Sequence, residues 1–78
     1  MDILGRLQDI FRDFFDDETI VLQNETSPDD IEEWDSLAQV NILVICEVEF
    51  DIRFDVDEIE SIKNAGDIID LIERKLNQ

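Results

Sequence analysis

The sequence predicts an all-α fold: a small four-helix bundle, with three main helices, one short helix and a long first loop. Three segments place apolar residues at the spacing of an amphipathic helix. Helix-capping residues precede three of the four predicted helices. With only 2 Gly and 1 Pro, the chain lacks the turn formers of a turn-rich β fold. Its 78 residues fit one domain, predicted as 1–78.

The first and last helices have the clearest periodicity. A helix over residues 2–16 turns one apolar face inward, comprising Ile3, Leu7, Ile10, Phe11 and Phe14. The last helix starts after Asn64 as its cap. Its inward residues are Ala65, Ile68, Ile69, Ile72 and Leu76. Arg74 and Lys75 fall in its last turn, where cations complement the helix dipole.

The second helix, over residues 36–50, is apolar around much of its girth. Its predicted inward residues are Leu37, Val40, Leu43, Val44 and Val48, widened by Ile42, Ile45 and Cys46. The β-branched content also allows a buried strand. The 15-residue length and polar residues such as Gln39 and Asn41 favour a helix.

The connections between the helices carry turn and cap formers. Residues 17–34 predict an ordered loop that could include one short helical turn, held to the core by apolar anchors. These anchors are Ile20, Val21, Leu22, Ile31 and Trp34. A short extended segment follows at 51–54. Asp55 and Glu58 then have capping-box spacing, which predicts a brief third helix.

Composition excludes several classes of function. The net charge is −16, which argues against binding to nucleic acid or to an anionic membrane surface. No His is present, so histidine-based catalysis is excluded, and 1 Cys rules out an internal disulfide framework. We expect no bound metal, no stable membrane insertion, a monomer and a cytoplasmic location.

Acidic residues dominate the middle of the chain. From residue 13 to residue 52 there is no Lys or Arg, and thirteen residues are Asp or Glu. The strongest negative potential should therefore surround the long loop and the ends of the second helix. A basic partner would be steered there, less strongly at high salt.

The most informative local feature is Asp35-Ser36-Leu37 at the start of the second helix. Asp and Ser are preferred N-cap residues, and Ser36 with Gln39 matches a capping box. On the tripeptide alone, helix capping is the favoured interpretation. One function consistent with it is an unmodified acidic helical adaptor that binds a basic partner.

The sequence on both sides of this tripeptide gives stronger evidence of function. The string EEWDSLAQVNILVICEVEFDIRF, followed by KNAGDIIDLI, resembles the acyl carrier protein family, in particular free-standing carriers with a Trp-Asp-Ser-Leu motif. The resemblance implies that Ser36 carries 4′-phosphopantetheine, derived from coenzyme A and attached by a phosphopantetheinyl transferase. It also implies that Asp35 supports this modification. Acyl intermediates would then travel as thioesters, and the chain would be a carrier and not an enzyme.

The resemblance also predicts a surface for partner enzymes that load, transfer or condense acyl groups in lipid, polyketide or other specialised biosynthesis. The predicted contact residues are Leu37, Gln39, Asn41, Ile42, Glu47 and Glu49. Leu37 has a second interpretation, as a core residue, which we favour. Fatty-acid carriers usually have acidic residues along this helix, whereas Val48 here interrupts the acidic cluster. We therefore expect basic or apolar docking patches on the partners, and a dedicated pathway enzyme.

The cargo is less defined than the attachment site. Peptide-synthetase carriers tend to have Gly-Gly-x-Ser, whereas this chain has Glu33-Trp34-Asp35-Ser36, which favours acyl over peptidyl cargo. An aminoacyl or D-alanyl-type carrier also remains an alternative, because such carriers use Asp-Ser too.

Three remaining features have structural interpretations. Cys46 lies in an apolar run and is predicted to be a buried small hydrophobe. Trp34 is predicted to pack the loop against the bundle. The acids between 51 and 60 fail the EF-hand pattern, since Arg53 occupies a ligand position and Val56 the position that requires Gly.

Overall fold

The computed structural model describes residues 2–77 and contains four helices. These are α1 (Ile3–Phe15), α2 (Ser36–Phe50), α3 (Val56–Ser61) and α4 (Ala65–Leu76). The predicted all-α bundle of three main helices, one short helix and a long first loop is confirmed. Met1 and Gln78, the ends of the predicted domain, lie outside the described residues. No helix within residues 2–77 is both long and apolar enough to cross a membrane.

Every helix begins at a side chain that satisfies a free backbone N–H group. Asp2, Asp35, Asp55 and Asn64 each accept a hydrogen bond from the amide three residues later. At α3 the predicted capping box is confirmed, since Glu58 also accepts a hydrogen bond from the Asp55 amide at 2.9 Å. Short polar side chains thus set all four helix starts from local sequence.

The core lies where α1 packs against both α2 and α4. The predicted inward faces of the two outer helices are confirmed except at two residues: Phe14 is half-buried, and Leu76, predicted to point inward, is exposed in the last turn of α4. The buried side chains of α1 are Ile3, Leu7, Ile10 and Phe11. Those of α4 are Ala65, Ile68, Ile69, Leu71 and Ile72. These two helices each show one apolar face, so their orientation follows from periodicity.

The predicted inward face of α2 is wrong. The structure buries Ala38, Ile42, Leu43, Cys46 and Phe50. Of the five residues predicted to point inward, only Leu43 is buried, and Leu37, Val40, Val44 and Val48 are exposed. Because α2 is apolar on all sides, its periodicity does not select a face, and packing against α1 makes the choice.

The first loop is ordered and irregular between α1 and α2, with turns in place of the helical turn that it could have contained. Leu22 and Trp34 are its buried anchors, while Val21 is exposed. The Leu22 amide donates to Gln8 Oε1 at 2.9 Å, which holds the loop to α1. Gly66 donates to the Asn24 carbonyl at 2.8 Å and joins the loop to the start of α4.

Replacement of Gly66 by Ala should destabilise this junction. A Cβ atom at Gly66 would lie 2.9 Å from the Asn24 carbonyl oxygen, which is backbone and cannot rotate away. We expect a loss of about 1–3 kcal/mol in the free energy of unfolding, measured by urea denaturation. Gly5→Ala is the comparison, because its Cβ meets the Asp2 carboxylate, which can rotate away at the cost of at most the α1 N-cap hydrogen bond, offset by the better helix propensity of Ala. Equal losses in both variants would contradict this account.

An ion pair joins α3 to α4 at the other side of the bundle. Lys75 Nζ lies 2.8 Å from Glu58 Oε1, and both side chains are partly buried. The hydrogen bond from Lys75 and the one from the Asp55 amide hold the pKa of Glu58 below its ordinary value of 4.5. The folded state therefore favours the charged form of this carboxyl group.

Glu58→Gln should consequently lower stability in a pH-dependent way. The contribution of a carboxyl group with a lowered folded-state pKa is present above pH 4.5 and is lost as the pH falls through the lowered value. Gln keeps the capping-box acceptor but not the charge. The difference in urea midpoint between wild type and Glu58→Gln should shrink below pH 4.5, whereas Glu60→Gln on the same helix controls for net charge. A difference independent of pH would contradict the ion-pair explanation.

Candidate functional site

The Asp35-Ser36-Leu37 tripeptide lies where the first loop becomes α2. Asp35 is extended, with φ −102° and ψ −174°, and its Oδ1 accepts from the Ala38 amide at 2.8 Å. Ser36 is the first residue of the helix and is exposed. The predicted Ser36–Gln39 capping box is therefore wrong, because Asp35 takes the cap position. Ser36 is left with its hydroxyl at the surface.

Trp34 fixes the loop immediately before this site. Its side chain is only 2% exposed, and its ring meets Phe11 edge-on, with ring centroids 4.9 Å apart. The indole Nε1 donates to Gln39 Oε1 at 3.1 Å, which uses the Gln39 side chain within the chain. The predicted packing role of Trp34 is confirmed. This anchor gives Asp35 and Ser36 a defined position on the bundle surface.

The electrostatic environment of Ser36 combines two opposing influences. The N-terminus of α2 directs backbone N–H groups and the positive end of the helix dipole toward Ser36, which favours a phosphate there. The exposed carboxylates of Glu32, Glu33 and Asp35 precede it and disfavour close docking of an anion. These two influences oppose each other, so the surface at Ser36 would not hold an anionic group tightly against the protein.

Some of the predicted partner-contact residues lie on the surface, and one lies in the core. Leu37, Asn41 and Glu49 are exposed on α2. Ile42 is fully buried, so its predicted place on a contact surface is wrong. Core packing, which sequence periodicity did not resolve in α2, places it on the inner face.

The two acids of this set make contacts within the chain. Glu47 is half-buried, and its Oε2 accepts from the Phe54 amide at 2.8 Å, which closes the turn between α2 and α3. Glu49 pairs with Arg6 of α1, and the Arg6 guanidinium also lies 5.3 Å from the centroid of the Phe50 ring. Glu47 is thus used within the chain, whereas Glu49 stays at the surface in an exposed ion pair.

Sequence reasoning missed four exposed apolar residues of α2. Val40, Val44, Ile45 and Val48 were assigned to the core, but all four are exposed. One signal could have identified the surface: Ala38, Ile42, Cys46 and Phe50 recur every four residues and, together with Leu43, form the inner face. The remaining apolar residues are then in excess of what the core requires.

Cys46 belongs to the inner face of α2. Its side chain is fully buried, and burial, with smaller contributions from Glu49 and Glu47, raises the pKa of the thiol to about 12. A thiol with so high a pKa carries almost no thiolate at neutral pH and is a poor nucleophile. The prediction of a buried small hydrophobe is confirmed.

Comparison with known proteins identifies the family. Neither a family model nor a curated protein matches the chain. A solved structure does match: the solution NMR structure of a holo acyl carrier protein from Geobacter metallireducens. It is 47% identical to this chain with a TM-score of 0.91, and the alignment covers 99% of this chain and 88% of that one. With this identity over almost the whole of both chains, the protein described here belongs to the acyl carrier protein family.

Proposed function

We propose that this protein carries acyl groups on a 4′-phosphopantetheine arm attached to Ser36 and presents them to enzymes of a lipid, polyketide or other specialised biosynthetic pathway. The observation that supports this most directly is the exposed hydroxyl of Ser36 at the first position of α2. Asp35 makes the capping hydrogen bond, so the fold does not need the Ser36 side chain for that purpose.

The residues around Ser36 fit a 4′-phosphopantetheine arm. The helix N-terminus accommodates the phosphodiester, and the acids before it keep the arm in solution. When bound, the arm supplies a terminal thiol that holds the acyl group as a thioester. The reactive chemistry of transport would thus reside in the cofactor, with the protein acting as a carrier and not as a catalyst.

Attachment of the arm requires a separate enzyme. In the proposed step, the Ser36 oxygen forms a bond to the phosphorus next to the pantetheine of coenzyme A, and 3′,5′-adenosine diphosphate leaves. The chain contains no His to accept the serine proton, so a base of the phosphopantetheinyl transferase would take it. We propose that Asp35 supports the step by fixing the start of α2 and by offering its carboxylate to the transferase.

The same proposal defines the organisation and partners of the protein. The chain acts as a single acyl-carrier domain over residues 1–78 and as a monomer. Its partners are the transferase and enzymes that load, transfer or condense acyl groups. Leu37 and Asn41, both exposed on α2 close to Ser36, form part of the surface that these enzymes contact.

Intact-protein mass spectrometry tests the proposal. The purified chain is incubated with coenzyme A and a broad-specificity phosphopantetheinyl transferase. We expect a gain in mass of one phosphopantetheinyl group, and peptide mapping should locate it on Ser36. A chain that gains no mass under conditions that fully modify a known carrier would instead be an unmodified adaptor.

A further inference from the structure

The sequence at the start of α2 is compatible with two different N-caps. In the first, Asp35 is the cap: its Oδ1 accepts from the Ala38 amide at 2.8 Å, and its carbonyl oxygen accepts from the Gln39 amide at 2.9 Å. In the second, α2 would begin one residue later, and Ser36 and Gln39 would form the Ser-x-x-Gln capping box that the sequence also matches. The structure contains the first cap, although Asp and Ser are about equally good at this position.

The two caps compete for the same groups of Gln39. In the capping box, the Gln39 amide would donate to Ser36 Oγ, and Gln39 Oε1 would accept from the Ser36 amide. With Asp35 as the cap, the Gln39 amide donates to the Asp35 carbonyl oxygen instead, and Oε1 accepts from the indole Nε1 of Trp34 at 3.1 Å. Formation of the capping box therefore requires Gln39 to leave the indole.

The indole of Trp34 favours the arrangement in which Gln39 stays. Its side chain is 2% exposed and packs edge-on against Phe11, so it lies within the bundle. Within residues 2–77 every buried side-chain nitrogen and oxygen has a hydrogen-bond partner, and for Trp34 that partner is Gln39. A buried N–H group that loses its acceptor is destabilising, because no hydrogen bond to water replaces the one that breaks.

The choice of cap decides whether the Ser36 hydroxyl is available. As the cap, Ser36 would adopt an extended backbone, and its Oγ would accept from the Gln39 amide at the end of the helix. As the first residue of α2 it is exposed, and Asp35 makes the capping hydrogen bond in its place. An oxygen that is held as a cap has a fixed direction, which opposes its alignment with an attacked phosphorus.

We propose that Trp34 is a positioning residue for the modification of Ser36: its indole N–H holds Gln39, prevents the Ser36–Gln39 capping box and so keeps the attachment oxygen free. This inference rests on the proposed function and adds a control of the same site. A chain with Ser36 as the cap must change caps before it is modified. The apparent rate of modification therefore falls with the fraction of molecules that have Asp35 as the cap.

Replacement of the indole N–H releases Gln39. Trp34→Phe keeps an aromatic ring against Phe11 but has no donor. Because the chain contains 1 Trp, benzothienylalanine can also replace this residue cleanly in a tryptophan auxotroph. Benzothienylalanine keeps the size of the indole and has sulfur in place of the N–H group. It carries the test if circular dichroism shows that Trp34→Phe does not fold.

Two measurements follow the change of cap. On the unmodified chain, the ¹³Cα and ¹³Cβ chemical shifts of Ser36 distinguish a helical from an extended residue. We expect helical shifts in the wild type and a change toward extended values in both Trp34 replacements. With coenzyme A and a phosphopantetheinyl transferase, kcat/KM should fall at least about threefold in both, since one hydrogen bond changes an equilibrium constant by about two- to tenfold.

A double variant distinguishes control of the cap from loosening of the loop. In Trp34→Phe/Gln39→Ala the capping box cannot close, so the helical shifts of Ser36 should return and kcat/KM should recover most of its loss. Gln8→Ala is the matched control, because it removes the acceptor that holds the Leu22 amide of the first loop at 2.9 Å. Both measurements on Gln8→Ala should stay near their wild-type values.

Each outcome has a distinct meaning. Unchanged Ser36 shifts or an unchanged kcat/KM in the Trp34 replacements overturns the inference. A double variant as slow as Trp34→Phe, or an equal fall in Gln8→Ala, also overturns it, because the loss would then come from a loosened loop. Failure of the wild type to accept the phosphopantetheinyl group overturns the proposed function, whereas the shifts of the unmodified chain still decide between the two caps.

Discussion

Ser36→Ala should abolish attachment of phosphopantetheine while leaving the stability of the bundle almost unchanged. The substitution removes the only oxygen that we propose to bond to the arm. Because Ser36 is exposed and Asp35 makes the capping hydrogen bond, we expect the free energy of unfolding to change by no more than about 0.5 kcal/mol. Intact mass spectrometry measures the first effect and urea denaturation the second.

Asp35→Ala provides the complementary control. Loss of the N-cap should cost about 0.5–2 kcal/mol, so this variant is destabilised although its attachment oxygen is intact. Comparison of the two variants therefore distinguishes the residue that is modified from the residue that stabilises the start of α2. Modification of Ser36→Ala at any position, or a stability loss in Ser36→Ala as large as in Asp35→Ala, would contradict the assignment.

Phe11→Ala should cause the largest loss of stability in the chain. Phe11 is completely buried and its ring contacts both Trp34 and Phe15, with centroid distances of 4.9 Å and 5.8 Å. Removal of the ring forfeits buried apolar area, leaves a cavity and loosens the tryptophan that holds the loop before Ser36. We expect a loss of about 3–5 kcal/mol, a large part of the stability of so small a domain.

Phe14→Ala is the control for Phe11→Ala. It is the same substitution in the same helix, but Phe14 is only half-buried and contacts Phe15 near the surface. Its loss, measured by urea denaturation, should be well below that of Phe11→Ala. Similar losses for both would mean that the Phe11–Trp34 contact is not the centre of the core.

Local sequence was sufficient for the helices themselves. Asp55 and Asn64 start α3 and α4 because their short side chains satisfy backbone amides three residues away, a contact that depends on adjacent residues alone. The single apolar faces of α1 and α4 likewise predict which side is buried. Cys46 could be placed in the interior from its apolar surroundings, and Trp34 from its large apolar side chain in the loop before α2.

The candidate site was predictable only in part. The string around Asp35-Ser36-Leu37 indicated the family, and with it Ser36 as the proposed attachment residue; Ser36 lies on the surface at the start of α2. The sequence string did not indicate which residue makes the N-cap of α2. Asp35 and Ser36 are both good caps, and the hydrogen bond from Trp34 to Gln39 removes the partner that Ser36 would have needed.

The sequence by itself determined the four helices and the acidic character of the chain, and its resemblance to the family led to the proposal of Ser36 as the attachment residue. Only the tertiary structure decided which side of α2 faces inward, and with it that Ile42 is core and that Val44 and Val48 are surface. The physical reason is that α2 is apolar on every side, so helical periodicity contains no preferred direction. The fit of Ala38, Ile42, Cys46 and Phe50 into the core, a property of the assembled bundle, supplies that direction.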